Sequence, residues 1–145
     1  MNEFRSKKAF KLKKYWAVIP ARGGSKSIYK KNIVLLNSVP LINYSIAAAK
    51  DSGLFERIIC STDDNEIADT AIDAGIEIDW RPKYLATDQS PVIDTVREFL
   101  LRQNEHPSIL ALIQPTSPFL LPVHISKLIK KMENTKECNS GQTIT

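Results

Sequence analysis

Four short apolar runs alternate with amphipathic segments, and this alternation constrains the fold more than any other feature. The runs are typical of strands and occupy residues 16–19, 57–61, 76–80 and 109–113. The amphipathic segments are typical of helices and occupy residues 40–51, 65–74, 91–103 and 123–133. Strands that alternate with helices imply right-handed βαβ crossovers. The sequence therefore predicts an α/β fold with a doubly wound, mostly parallel sheet of the Rossmann-like type.

Individual elements carry more specific expectations. Pro40 is expected at the first helical position of the first helix, and Ile93 is expected on the apolar face of the third. The run at 109–113 is continuously apolar, as in a central strand that is covered on both faces. The last residues, 140–145, have the composition of the beginning of a further strand.

The positive charge of the chain is concentrated at its N-terminus. The 145 residues carry a formal net charge of +4, whereas residues 1–14 alone carry +5 and the remaining 131 residues carry −1. We expect residues 1–14 to form a basic, flexible leader before an α/β domain at 15–145. A slightly acidic body argues against a nucleic-acid-binding face, although binding of nucleic acid by the leader itself stays as a weaker alternative.

Hydropathy and cysteine content predict a reduced, cytoplasmic protein. No run approaches the ~18 apolar residues of a membrane span, and the leader lacks the apolar core of a signal peptide. Cys60 and Cys138 fit no metal-binding spacing and are too few for a disulfide framework. Cys60 lies in an apolar run, where we expect a buried structural thiol.

The loops that follow the predicted strands hold the candidate functional residues. In doubly wound sheets the ligand binds outside the carboxyl ends of the strands. This rule selects four loops, at residues 20–33, 61–64, 81–90 and 114–119.

The first of these loops predicts an anion site. Gly23 and Gly24 would let backbone N–H groups turn towards an anion, Arg22 and Lys31 would neutralise phosphate oxygens, and Ser25 adds a donor. The loop has neither the Walker A pattern nor the G-x-G-x-x-G pattern, which argues against a P-loop or a dinucleotide fold. The alternative interpretation is a glycine turn with solvated cations.

Each of the other three loops has a functional and a structural interpretation. Asp63 reaches a nucleotide or a metal, or else Asp63 or Asp64 only caps the next helix. Arg81, Asp88 and Ser90 belong to a binding loop or to an ordinary surface loop whose Ser90 caps the next helix. Gln114 carries an amide suited to reading a base or a sugar. For His106 and His124 we expect structural roles.

Four motifs, taken in order, resemble those of the acylneuraminate cytidylyltransferases, the CMP–sialic acid synthetases. They are "ARGGSKSIYKKN" at 21–32, "STD" at 61–63, "RPKYLATD" at 81–88 and "QPTSP" at 114–118. Ser27 and Tyr29 stand where the family pattern has Gly and Pro. If Ser27 had to adopt a positive φ, it would be strained relative to glycine.

The resemblance implies an activity and a set of site residues. The implied reaction transfers CMP from CTP to a nine-carbon sialic-type sugar acid with release of pyrophosphate and with Mg²⁺ as cofactor. Arg22 and Lys31 would be catalytic, Gln114 would lie near the sugar, and Asp63 is a candidate metal ligand. The implied nucleotide-binding residues are Arg22, Gly23, Gly24, Ser25, Lys31, Asn32, Arg81 and Ser90.

The resemblance also implies which part of the family's fold this sequence contains. Members of the family are longer, so residues 15–145 are expected to be the N-terminal part of a nucleotide-diphospho-sugar transferase fold. The sugar pocket, further metal ligands and the element that forms the family's homodimer are expected beyond Thr145. The alternative is a truncated, catalytically silent nucleotide-binding module. The sugar acid itself, whether neuraminic, pseudaminic or legionaminic, stays open.

Overall fold

The computed structural model describes residues 12–143. Within this range the strands are β1 (Tyr15–Pro20), β2 (Leu35–Leu36), β3 (Val39–Pro40), β4 (Arg57–Thr62), β5 (Glu77–Trp80) and β6 (Ile109–Leu112). The α-helices are α1 (Leu41–Ser52), α2 (Asn65–Asp73), α3 (Val92–Leu101) and α4 (Pro122–Asn134). Short 3₁₀ turns occupy Lys31–Ile33 and Lys83–Leu85.

The main sheet has four parallel strands in the order β5-β4-β1-β6. Val18 of β1 lies opposite Ile59 of β4 on one side and Leu112 of β6 on the other. The chain therefore leaves β1 towards β4 and β5 and returns to the opposite side of β1 to form β6. This reversal places a topological switch point between β1 and β6, where ligands of doubly wound sheets bind.

Helices cover both faces of the sheet, which confirms the doubly wound prediction. One face packs against α1, α2 and α4, with buried side chains such as Ile19, Ile46 and Ile125. The other face packs against α3 through Phe99, whose ring meets the Trp16 ring edge-on at a centroid distance of 6.3 Å. Because β1 is buried on both faces, the loop that follows it begins from a rigid support.

Caps fix the ends of the helices that flank the site. Gly53 ends α1 with a φ of 67°, a left-handed conformation that glycine adopts without strain. The Asp64 carboxylate accepts a hydrogen bond from the Ile67 N–H at 3.1 Å and caps α2, so Asp64 is the cap among the two predicted candidates. The interpretation of His124 as structural also fits, since its Nδ1 accepts the Leu121 N–H at 3.2 Å at the start of α4.

Three predictions about individual elements were wrong. β6 lies at the edge of the described sheet and is only partly buried, because the strand covered on both sides is β1. Ile93 is 49% exposed, since α3 buries a narrow face through Val96 and Phe99. Pro40 precedes α1 as its N-cap residue because it pairs with Leu35 in a two-stranded hairpin.

The hairpin of β2 and β3 was not predicted from the sequence. The hairpin turns at Asn37 and Ser38, both with positive φ as a type I′ turn requires. Residues 140–143 form no strand in the described range. Of the predicted leader, residues 1–11 lie outside the described residues, whereas the Lys14 carbonyl accepts the Ser108 N–H at 2.7 Å.

Cys60 is fully buried in β4, as expected for a structural thiol. Burial raises the pKa of its thiol to about 12. Both Cys60 and Cys138 are free. No helix in the described part of the chain has the length and apolarity needed to cross a membrane.

Candidate active site

A polar cavity of about 250 Å³ lies at the carboxyl ends of β1, β5 and β6. Three of the four predicted loops supply its walls, whereas the loop at 61–64 lies behind them and does not line it. The lining residues are Pro20, Arg22, Gly24, Ser25, Lys31, Asn32, Arg81, Thr87, Asp88, Ser90, Val92, Gln114, Pro115 and Thr116. Of the nine residues predicted to bind nucleotide or sugar, all except Gly23 line this one cavity.

Gly23 serves close packing instead of a sharp turn. Its N–H donates to Asp63 Oδ1 at 2.8 Å and so points at the protein, not at the cavity. A Cβ at this position would lie 2.7 Å from Asp64 Cβ and 2.8 Å from Asp64 Oδ2. Neither Gly23 nor Gly24 has a positive φ. The prediction that both glycines turn the backbone was therefore wrong for Gly23, where the need is for space.

Gly24 differs, because a Cβ there would meet no atom within 4 Å. It lines the cavity beside Ser25. An unobstructed backbone at this point lets a ligand approach the main chain closely.

The far end of the same loop is also anchored. The buried Asn32 side chain donates from Nδ2 to the Arg22 carbonyl oxygen at 3.0 Å, which ties the two ends of the loop together. Lys30 pairs with Asp64 at 3.4 Å and with Glu66 at the start of α2. Hydrogen bonding to Glu66 raises the pKa of Lys30. Lys30 therefore fastens the loop to α2 and does not line the cavity.

The expected strain at Ser27 is absent, because the left-handed residue of this loop is Lys30, with φ 46° and ψ 46°. Ser27→Gly has no strain to relieve. We expect it to leave any turnover of CTP, the substrate that the resemblance implies, unchanged and to lower the free energy of unfolding by no more than about 1 kcal/mol, the entropic effect of glycine. Urea unfolding and a turnover assay check both expectations, and increased turnover would contradict the conformation described for Ser27.

Three cationic side chains line the cavity, those of Arg22, Lys31 and Arg81. Arg22 pairs with Asp88, which also pairs with Lys26 at 3.2 Å. Hydrogen bonds from Arg22 and Lys26 lower the pKa of the Asp88 carboxyl. Lys31 forms no ion pair with any residue in the described range. Its charge is therefore uncompensated and available to an anion.

Arg81 is the most buried of these cations, with 8% of its surface exposed. Its Nη2 donates to the Ser61 carbonyl oxygen at 3.0 Å, whereas its buried Nε has no hydrogen-bond partner in the described part of the chain. Burial lowers the pKa of Arg81, and the charge of Asp63 opposes this effect. An unpartnered donor on a buried cation is costly, whereas Arg81 as a residue lines the cavity and brings its positive charge there.

A network that sequence reasoning missed supports Arg81. Ser61 Oγ donates to the buried Asp79 at 2.8 Å, and Arg102 pairs with the other Asp79 oxygen at 2.7 Å. Asp79 falls at a polar position of the alternating run 76–80, as Glu77 does, so the pattern carried no signal for its burial. Thr87 and Thr116 were also not assigned to the site.

Ser90 and Gln114 line the cavity from two different loops, those at 81–90 and 114–119. Ser90 Oγ donates to the Tyr84 carbonyl oxygen at 3.0 Å and lies 2.7 Å from Thr87 Oγ1, so it closes the 81–90 loop on itself. The main-chain carbonyl oxygen of Gln114 accepts a hydrogen bond from Ser45 Oγ of α1 at 3.1 Å. Its amide side chain is exposed at the cavity and accessible to a ligand.

The site offers few metal ligands. No group of three or more His, Cys, Asp or Glu side chains suited to a metal ion occurs in the described range. Asp88 is the one acid among the lining residues, and Asp63 lies behind the loop with Oδ1 bonded to the Gly23 N–H.

Lys31→Met tests the uncompensated cation. We expect the affinity for CTP, the ligand that the resemblance implies, to fall by about 10-fold or more, since a hydrogen bond to a charged group contributes about 1.5–3 kcal/mol. The free energy of unfolding should stay unchanged. Lys30→Met is the matched control, because its ion pairs face α2, and it should lower stability more than affinity. Calorimetric titration and urea unfolding separate the two variants, and equal effects would contradict this assignment.

Comparison with known proteins agrees with this geometry. A family model described as cytidylyltransferase matches residues 16–144. N-acylneuraminate cytidylyltransferase A of Danio rerio is 43% identical over 114 residues, which cover 79% of this chain and 26% of the relative. CMP-N,N′-diacetyllegionaminic acid synthase of Legionella pneumophila is 44% identical over 119 residues, which cover 79% of this chain and 51% of the relative.

A solved structure of CMP:2-keto-3-deoxy-manno-octonic acid synthetase complexed with CTP superimposes with a TM-score of 0.75 at 20% identity. The match covers 86% of this chain and 49% of that one, and it shows a shared fold. The aligned regions thus span from about a quarter to about half of the length of these proteins. The resemblance inferred from the four motifs is confirmed, and because the family model matches nearly the whole described range, the chain belongs to the cytidylyltransferase family.

Proposed function

We propose that the cavity binds CTP and serves the transfer of CMP to a nine-carbon sialic-type sugar acid, with release of pyrophosphate. The observation that carries the proposal is the convergence of Arg22, Lys31 and Arg81 on one cavity with Asp88 as its single lining acid. A triphosphate supplies the negative charge that these cations leave uncompensated. The names of the relatives from Danio rerio and Legionella pneumophila support a nine-carbon acid as the acceptor.

In the proposed reaction the anomeric hydroxyl of the sugar attacks the α-phosphorus of CTP. The bond between the α-phosphorus and the oxygen that bridges to the β-phosphorus breaks, and pyrophosphate leaves with that bonding pair. Negative charge develops on the phosphoryl oxygens and the leaving group, where fixed cations act most strongly. We assign this catalytic stabilisation to Arg22 and Lys31, assisted by the donors of Ser25 and the Gly24 backbone. The hydroxyl proton passes to solvent.

The remaining lining residues are assigned to recognition. Arg81 lines the cavity and is assigned to the nucleotide. Asn32 and Ser90 lie at the same cavity and complete the nucleotide side, and the exposed amide of Gln114 is assigned to the sugar. Gly23 acts through the loop that it anchors.

We propose Mg²⁺ as the cofactor. Mg²⁺ in nucleotide sites usually keeps several waters and binds one or two carboxylates together with phosphate oxygens. Asp88 is the acid among the described lining residues, so the metal would be held chiefly by the triphosphate. Asp63, the predicted candidate ligand, lies outside the lining with Oδ1 bonded to the Gly23 N–H. When bound, the metal neutralises charge on the phosphate oxygens.

Pyrophosphate release tests the proposal. The purified chain is incubated with CTP, Mg²⁺ and, in parallel, neuraminic, legionaminic or pseudaminic acid derivatives. We expect pyrophosphate with one of these acids and none without acceptor. Binding of CTP without pyrophosphate would favour the second candidate, a nucleotide-binding module without activity of its own, which the small number of acidic side chains at the cavity favours. Absence of CTP binding would contradict both.

We further propose a cytoplasmic protein that binds neither nucleic acid nor membrane. The resemblance suggests that the family forms homodimers, but no dimer-forming element was predicted within residues 15–145. The free thiols of Cys60 and Cys138 support a reducing compartment. Sedimentation of the purified chain measures the oligomeric state. Deleting residues 1–14 and measuring salt-dependent retention on DNA or RNA tests whether the basic leader binds nucleic acid.

A further inference from the structure

Asp88 occupies an unusual position, because it places a negative charge inside a cavity suited to anions. It belongs to the wall formed by the 81–90 loop, and both of its cationic partners belong to the loop after β1. The ion pairs therefore join two walls of the cavity. The Asp88 and Arg22 side chains are each about one-third exposed, at 34% and 32%, so bulk solvent and ligands reach them.

The geometry of the pairs matches that of a bound phosphate. Arg22 Nη1 contacts Asp88 Oδ1, and Lys26 Nζ contacts Oδ2 at 3.2 Å, so each carboxylate oxygen has its own cation. Two neighbouring oxygens of a phosphate would engage the same two donors in the same way. The depressed pKa of Asp88 keeps the carboxylate charged at neutral pH.

We propose that Asp88 is an internal competitor for phosphate that sets the anion selectivity of this cavity. This inference rests on the proposed CTP site and adds a specificity-determining residue to it. A ligand gains Arg22 and Lys26 only by displacing the carboxylate. A triphosphate, which carries several charges and also reaches Lys31, displaces it, whereas common singly or doubly charged anions gain too little.

Two other roles for Asp88 make opposite predictions. If the carboxylate served only to hold Arg22 in place, its removal would weaken phosphate binding. If it served as a metal ligand, its removal would change binding only when Mg²⁺ is present. Competition predicts stronger binding of phosphates without any metal.

Calorimetric titration of the full chain with inorganic pyrophosphate and with CTP, each in EDTA and in Mg²⁺, distinguishes these roles. In EDTA we expect Asp88→Asn to bind both ligands about two- to fivefold more tightly than the unmodified chain, since exposed ion pairs contribute up to about 1 kcal/mol. The matched control is Asp94→Asn, which removes the same charge from α3. Asp94 pairs with Arg97 at 3.6 Å and is not among the residues that line the cavity. This control should bind like the unmodified chain.

The outcomes separate this inference from the proposed function. If the unmodified chain binds CTP but Asp88→Asn binds both ligands equally or less tightly in EDTA, the inference is overturned and the CTP site stands. An equal gain in Asp94→Asn, or a gain only in Mg²⁺, overturns it as well. If the unmodified chain binds neither ligand in any buffer, the proposed function and this inference both fail. Thermal unfolding of each variant confirms that the compared proteins are folded.

Discussion

Replacing Arg22 with alanine is expected to lower the affinity for CTP by about 10- to 100-fold without unfolding the protein. Hydrogen bonds to charged groups contribute about 1.5–3 kcal/mol, and Arg22 is a cation at the triphosphate end of the proposed site. Its removal also leaves the Asp88 carboxylate with Lys26 as its one remaining cation, which adds repulsion towards an anion. Pyrophosphate release should fall further, by about 100- to 1,000-fold, because charge builds during displacement.

Arg97→Ala is the matched control for this change. Arg97 is an exposed arginine of α3 whose ion pair with Asp94 lies outside the cavity. The Arg97→Ala variant should bind CTP with the same affinity as the unmodified chain. Calorimetric titration measures the affinity and circular dichroism reports the fold. CTP affinity of Arg22→Ala equal to that of Arg97→Ala, with both proteins folded, would remove Arg22 from the site.

Replacing Gly23 with alanine is expected to damage both the fold and the site. The added Cβ would lie 2.7 Å from Asp64 Cβ, so the loop or the α2 cap must shift. Overpacking of this kind lowers the free energy of unfolding by about 1–3 kcal/mol. The shift also breaks the hydrogen bond between the Gly23 N–H and Asp63, which sets the path of the loop that carries Arg22. We therefore expect a lower midpoint of urea unfolding together with weaker CTP binding.

Gly24→Ala isolates the packing effect, because a Cβ at Gly24 would meet no protein atom within 4 Å. Its free energy of unfolding should be unchanged or higher by up to about 1 kcal/mol, since alanine restricts the unfolded chain. If Gly23→Ala and Gly24→Ala unfold at the same urea concentration, the close contact between Gly23 and Asp64 does not constrain the loop.

The local pattern was sufficient to predict the four strands of the main sheet, the four helices and the loops that line the cavity. Strand and helix periodicities depend on neighbours a few residues away, and the rule for doubly wound sheets turns their order into a position for the ligand. Arg22, Arg81 and Gln114 are far apart in the chain, yet each follows a strand end directly. Their meeting at one cavity follows from that placement alone.

Contacts between distant segments account for what the sequence did not predict. The neighbour with which β6 pairs depends on which side of β1 the chain returns to, and no local pattern encodes that choice. The positive φ falls on Lys30 and not on Ser27, and the Lys30 side chain pairs with Asp64 and Glu66 at the start of α2, contacts that no local pattern reveals. Gly23 likewise faces Asp63 and Asp64, about 40 residues further along the chain.

The most direct test of the central claim is a titration of ¹⁵N-labelled protein with CTP, followed by backbone amide NMR. The account predicts saturable shifts at Gly24, Ser25 and Lys31, with smaller shifts around Gln114 across the cavity. The apolar groove between β6 and α4, which includes Ile125 and Met132, should stay unchanged. Shifts confined to that groove, or no saturable shift in the loop after β1, would contradict the assignment of this cavity as the CTP site.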